Sequence, residues 1–349
     1  MQSGVLVIFL LTIASCTKEE LENDKVTDQF YISRTGADMP IWVHGNAKSK
    51  TFVVTVHGGP ILGYGLDFRR GKYIEELEKD YTMVYWDQRS SGASHGTYDK
   101  NSLTITNFAK DLDLLIRTLE KRYGEDISLF IMGHSFGGLL SGSYLSTKNH
   151  QNKIKGWINI SGDLDVTKSN IDIVNRIIFF AEGFISIDEN VGNWKSVLKE
   201  VKEIDTSLFP LTSNDEKKLT KITKTMGPLL EKYRNKPQYR QSEFNSVLIS
   251  PAPSALTLVG NLLHAYTPIN KDLEKYKLIH ELPKINIPSL FVFGKYDLGN
   301  SPDVGLELYN TIGSVEKELI IYEHSSHETM MTEPEAFNSD VIKFIETHK

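Results

Sequence analysis

Ile127-Ser128-Leu129-Phe130-Ile131-Met132-Gly133-His134-Ser135-Phe136-Gly137-Gly138-Leu139-Leu140 runs a short apolar stretch into a helical one through a turn that holds a serine between two glycines. Such a strand, turn and helix lifts the serine out of the end of a sheet. Glycine is needed on both sides because side chains there would collide with strand and helix. The stretch therefore predicts a nucleophilic serine, Ser135, at the carboxyl end of a strand.

Outward from this turn the chain alternates short β-branched runs with longer amphipathic ones, the pattern of βα units around a mostly parallel sheet with helices on both faces. Strands are expected at 51–56, 81–86, 127–132, 155–160, 289–293 and 317–322, with an N-terminal hairpin of 29–33 and 40–44 around Gly36-Ala37-Asp38. Phe108, Leu112, Leu115, Ile116 and Leu119 recur at helical spacing and predict a helix closed by Gly124. The alternation stops after Ser161 and resumes near Ile287. The residues between read as several helices, with 170–180 and 193–201 the clearest and Pro228, Pro237, Pro251 and Pro253 as breaks. We expect a helical cap over residues 163–282, inserted after the sixth strand, within one domain spanning 28–349.

A serine nucleophile needs a base and an acid to orient it, and in a sheet of this kind they follow in the order Ser, Asp or Glu, His. Asp297 follows the strand at 289–293 through Gly294-Lys295-Tyr296, and His327 follows the strand ending at Tyr322. Asp303 is a rival acid, but Pro302 before it opens a helix whose first turn it suits. His324 is a rival base, but it ends its strand, whereas His327 stands in the loop beyond. Met331 occupies the place of the second histidine in H-E-x-x-H, so a zinc reading of His327-Glu328 fails. His57-Gly58-Gly59-Pro60 after the strand at 51–56 predicts an oxyanion loop, with backbone N–H groups of Gly59 and Phe136 as its donors.

Taken in order, His57-Gly58-Gly59-Pro60, Trp86-Asp87-Gln88-Arg89-Ser90-Ser91-Gly92-Ala93-Ser94, the Ser135 turn, Gly294-Lys295-Tyr296-Asp297, and Ser325-Ser326-His327 with Glu333-Pro334-Glu335 resemble the proline iminopeptidase group of α/β-hydrolase serine peptidases. The resemblance implies an α/β-hydrolase fold and an aminopeptidase working on short peptides without metal or organic cofactor. It also implies glutamates in the cap that hold the substrate's amine, for which Glu182, Glu189, Glu200 and Glu203 are the candidates. Two positions depart from the family pattern: Ile61 follows Pro60, and Ser90 replaces a glycine. In the cap, Trp194 stands without the family's second tryptophan and glutamate. A carboxylesterase with the same three residues is the alternative, and a non-catalytic binding lipoprotein a more remote one.

The formal net charge of −6 over 349 residues, with signs interspersed, supplies no basic stripe for a nucleic acid partner. Residues 5–11 form an apolar run too short for a membrane span but suited to a signal core. It leads to Ile13-Ala14-Ser15-Cys16, which resembles the lipobox of bacterial lipoproteins. Cys16 is the single cysteine of the chain, so no intramolecular disulfide accounts for it. The reading is a lipoprotein signal at 1–15, lipid attachment at Cys16, a polar tether at 16–27, and export to a bacterial envelope membrane. Lys18-Glu19-Glu20 is similar to surface signals of some Gram-negative lipoproteins, which points to the outer membrane. A plain secretory signal cut near Ala14 or Ser15 is the alternative.

Overall fold

The computed structural model describes residues 25–60, 63–147, 149–208, 210–240, 269 and 271–349. The signal, Cys16 and most of the tether lie outside the described residues, as does Ile61. The strands are β1 Val26–Arg34, β2 Ala37–Gly45, β3 Thr51–Val56, β4 Thr82–Trp86, β5 His95–Gly96, β6 Ser128–His134, β7 Ile154–Ile160, β8 Ser289–Gly294 and β9 Lys317–Tyr322. They form one sheet in the order β1-β2-β4-β3-β6-β7-β8-β9, with β5 against β2. β1 and β2 run antiparallel, as do β2 and β4, and every pair from β4 to β9 is parallel.

The helices are α1 Ile74–Asp80, α2 Ile105–Tyr123, α3 Phe136–Leu145, α4 Ser169–Ser186, α5 Val191–Val201, α6 Ser213–Leu230, α7 Pro302–Thr311, α8 Thr329–Thr332 and α9 Pro334–His348. β3 is buried at all six positions because sheet neighbours flank it and helices cover both faces, and this is why it reads as an unbroken apolar run. α2 starts where the Thr104 side chain accepts the Asn107 N–H and ends at Gly124, whose φ of 111° suits glycine. Its five expected core residues are all buried. One face of the sheet packs Phe108, Leu115, Tyr144 and Phe291, and the other packs Tyr73, Leu77, Phe337 and Val341.

Four details differ from the sequence expectation. β1 begins at Val26, two residues inside the stretch assigned to the tether, because Val26 packs against the core and pairs with Gly45. The hairpin turn is Thr35-Gly36 alone, both at positive φ, so Ala37 and Asp38 already belong to β2. The two-residue β5 makes the cap follow the seventh strand rather than the sixth. Pro228 does not end a helix but lies inside α6, whose Ile222, Met226 and Leu230 are buried in the cap core. That burial outweighs the backbone hydrogen bond that proline cannot donate.

The cap core of Phe180, Phe184, Trp194 and Met226 also takes in Tyr296, stacked on Phe180 at 5.5 Å. Tyr296 immediately precedes Asp297, so the cap rests on the loop that carries the acid. After α6 the chain returns across the His327 loop. Asn235 N–H donates to His324 O at 2.8 Å, Gln238 N–H to Met331 O at 2.7 Å and Arg240 N–H to Arg70 O at 3.0 Å.

Candidate active site

Ser135 sits at the carboxyl end of β6, in the middle of the sheet, with φ 55° and ψ −123°. A non-glycine residue in that region stores about 1–3 kcal/mol of strain, and three contacts hold it there. Ser135 N–H donates to Ile160 O at 2.9 Å, Gly138 N–H donates to Ser135 O at 2.8 Å, and α3 follows at once. The flanking glycines are required by packing: a Cβ on Gly137 would lie 1.8 Å from Val56 O, and one on Gly133 would lie 2.4 Å from Gly137 O.

The loop after β3 lies directly against this turn. A Cβ built on Gly58 would stand 3.0 Å from the Ser135 Cβ, and Gly59 takes a left-handed φ of 56°. Phe136 is the first residue of α3, where a backbone N–H has no partner within the helix. His57 is buried and fixed at both ring nitrogens. Nδ1–H donates to Gly58 O at 2.9 Å, and Nε2 accepts Gln88 N–H at 3.2 Å. Burial pushes its pKa down to about 4, so the ring is neutral in neutral solution.

The Trp86-to-Ser94 string supports that loop. Gln88 Nε2 donates to His57 O at 2.9 Å, and Asp87 accepts the N–H groups of Gly65 and Ala93 at 2.6 Å each. Arg89 is fully buried and forks onto Asp111 of α2 at 2.5 and 2.7 Å. Ser90, which departs from the family's glycine, adopts φ 63°, a conformation that glycine takes without strain. Its hydroxyl is hydrogen-bonded to that of Tyr98.

Asp297 and His327 meet at the same end of the sheet, beyond β8 and β9. His327 Nδ1 donates to Asp297 Oδ2 at 2.7 Å, while Asp297 Oδ1 accepts the N–H groups of Gly299 and Asn300 at 3.1 Å each. Gly294 lets the histidine loop cross so closely that a Cβ there would fall 2.0 Å from Ser326 O. Asn300 Nδ2 donates to Ser161 O at 2.6 Å and ties the Asp297 turn to the end of β7. Burial disfavours the imidazolium, but the charge and hydrogen bond of Asp297 outweigh it. The pKa of His327 therefore lies above the ordinary imidazole value of 6.5.

The rivals are accounted for elsewhere. His324 is exposed and bonds Tyr233 O at 3.2 Å. Asp303 lies in the first turn of α7, with Arg176 3.9 Å away.

His134, the variable residue of the serine turn, has a role that motif reading missed. Its Nε2–H donates to His327 O at 3.0 Å, and the two rings lie 4.7 Å apart. Desolvation and the neighbouring His327 push its pKa down to about 3, so it steadies the base without carrying charge.

Ser135 and His327 both line a cavity of about 320 Å³, together with Gly59, Asp67, Phe68 and Glu328. His327 and Glu328 also form a wall of a larger cleft of about 530 Å³ beneath the cap, which Arg234 lines from the opposite strand of chain. The cap glutamates singled out in the sequence do not reach either space. Glu182, Glu200 and Glu203 pair with Lys202, Lys221 and Lys218 at 3.2, 2.9 and 4.0 Å, and Glu189 pairs with Lys232. Trp194 is buried in the cap core against Phe184, 4.9 Å between rings. The acids that do line the smaller cavity, Asp67 in a short 3-10 helix and Glu328 beside His327, come from the main domain, and Glu231 after α6 lines the larger cleft. The sequence signal for Glu328 was only its place beside His327.

A mostly parallel sheet with a strained serine turn on its central strand, and a hydrogen-bonded Asp–His pair at the same edge, defines an α/β-hydrolase enzyme. Comparison narrows the class. The family of serine aminopeptidases of the S33 type matches residues 48–335, and the chain belongs to it. Among curated relatives, a probable aminopeptidase, YbaC, of Bacillus subtilis (strain 168) is 22% identical over 88% of this chain and 93% of its own. A proline iminopeptidase of Saccharolobus solfataricus is 24% identical over 84% of each chain. Among solved structures, a proline iminopeptidase-related protein of Thermus thermophilus superposes with a TM-score of 0.59 at 16% identity, over 93% of this chain and 98% of that one.

Proposed function

We propose that the chain is an exported aminopeptidase that releases N-terminal residues from short peptides through an acyl-enzyme. The observation that carries its acyl-enzyme chemistry is the 2.7 Å bond that joins Asp297 to His327, which lines the same cavity as Ser135, and the family match over residues 48–335 supports a peptidase. With Nδ1–H committed to Asp297, the free electron pair of neutral His327 lies on Nε2. Nε2 takes the Ser135 hydroxyl proton as Oγ attacks the substrate carbonyl carbon. The oxygen becomes an oxyanion facing the N–H groups of Gly59 and Phe136, each worth about 2.7–4 kcal/mol in the transition state. The imidazolium then gives its proton to the leaving amine, the C–N bond breaks, and the ester of Ser135 remains. Water, activated by the same nitrogen, hydrolyses that ester and regenerates the serine.

Glu328 supports an amine-bearing substrate, since it is the carboxylate beside the base on the cavity wall. Phe68, Met330 and Met331 in the same lining would also suit the acyl part of a neutral ester, which keeps a carboxylesterase as the second reading. The two separate on fluorogenic amides of Pro, Ala and Leu, each with a free or an acetylated amino group, assayed beside short-chain nitrophenyl esters. Ser135-dependent release confined to the free amines is expected, with Glu328→Gln raising KM for them about 10-fold. Turnover of the esters alone would move the assignment to an esterase.

Export by a lipid anchor at Cys16, to the outer membrane of a bacterial envelope, is part of the same proposal. The apolar run at 5–11 and the Ile13-Ala14-Ser15-Cys16 string support it. Cells fed labelled palmitate should mark the wild-type protein and not Cys16→Ala, and equal labelling of both would remove the anchor from the proposal.

A further inference from the structure

The leaving group of an acyl transfer sits beside the base, because His327 hands it a proton. A second space, the 530 Å³ cleft, also borders His327 and Glu328, and the returning segment that carries Arg234 forms another of its walls. That segment is held in place by the Asn235 N–H to His324 O bond at 2.8 Å. Arg234 is half-buried, and its Nη2 donates to Gly227 O at 3.2 Å, near the carboxyl end of α6. Among the described residues its buried Nε has no partner, and no carboxylate pairs with its guanidinium. Lys236, the other cation on this wall, is exposed and stands 3.9 Å from Glu231. An unanswered donor at a buried atom is costly, and the guanidinium fork matches a carboxylate with two parallel hydrogen bonds.

Building on the aminopeptidase reading, we propose that Arg234 receives the free C-terminal carboxylate of the peptide's leaving portion. The substrate class is then short peptides with an open carboxyl end. Two alternatives place Arg234 differently. It also lines a smaller space of about 210 Å³ behind Asp297, where it would act only on the catalytic acid. In the other, its role ends with the bond to Gly227 O at the end of α6.

The test uses the full chain and begins with the fluorogenic amide that it cleaves best. A dipeptide with that N-terminal residue followed by alanine is compared with the same dipeptide as its C-terminal amide. The wild type is expected to favour the acid in kcat/KM by about 10-fold or more, through KM. In Arg234→Gln the ratio should fall to about one, and Arg234→Lys should recover part of it. Labelling of Ser135 by a fluorophosphonate checks that each variant is folded. A wild-type ratio near one, or a parallel loss on both dipeptides in Arg234→Gln, overturns the assignment. Absence of any Ser135-dependent amide cleavage overturns the aminopeptidase reading itself and this inference with it.

Discussion

Ser135→Ala is expected to lower turnover by about a million-fold, the loss found when a serine nucleophile is removed from a working triad, and to leave stability unchanged. Ser135→Gly should be equally inactive and yet more stable. The distinction comes from the backbone. At φ 55° and ψ −123°, alanine keeps the Cβ that makes the conformation costly, whereas glycine removes it. Strain of about 1–3 kcal/mol is relieved, and the greater chain entropy of unfolded glycine takes back about 0.5–1 kcal/mol. A gain near 1 kcal/mol remains, readable as a higher urea midpoint. The strain is held by the Ile160 O contact and by α3, so it belongs to the fold rather than to the hydroxyl. Undiminished turnover by Ser135→Ala would falsify the nucleophile assignment. A glycine variant no more stable than the alanine one would show that the turn stores no strain.

What could be read from the sequence follows from burial. β3 and β6 are covered on both faces, so their residues are apolar in an unbroken run, and α2 is covered on one, so its core residues recur at helical spacing. Ser135, Asp297 and His327 could be placed because parallel strands end at one edge of the sheet, and each residue follows a strand that the pattern had located. The rest of the site has no such periodic mark. Arg234 lies in a loop 93 residues before His327 and lines the same cleft because Asn235 and Gln238 are tied to His324 and Met331. The cap glutamates misled because helix-face carboxylates look alike in sequence whether they face a substrate or a lysine. α6 was hidden by Pro228, whose meaning depended on the core beneath it.

Asp297→Asn is expected to lower kcat by about 10⁴-fold and to move the acid limb of kcat/KM to lower pH. The argument starts from the N–H groups of Gly299 and Asn300, which both donate to Oδ1. An asparagine there must keep its carbonyl oxygen toward those donors, so its NH₂ faces His327 Nδ1. Nδ1 must then accept, the ring proton moves to Nε2, and Nε2 can no longer take the proton of Ser135. The shift in pH has its own sign. In the wild type the charge and hydrogen bond of Asp297 raise the imidazole pKa above 6.5 against the opposing effect of burial. Activity, which needs the neutral ring, is therefore lost as pH falls through that raised value. Without the carboxylate, burial dominates and the pKa drops, so the residual activity should persist to more acidic pH than in the wild type. Rates of the best fluorogenic amide across pH 4 to 9, with Ser135→Ala as the floor, measure both effects. An unmoved acid limb would mean that Asp297 does not set the protonation of His327. A loss of under 10-fold would mean that another group orients the base; after Asp297 the carboxylates acting most on the ring are Glu328 and then Asp163.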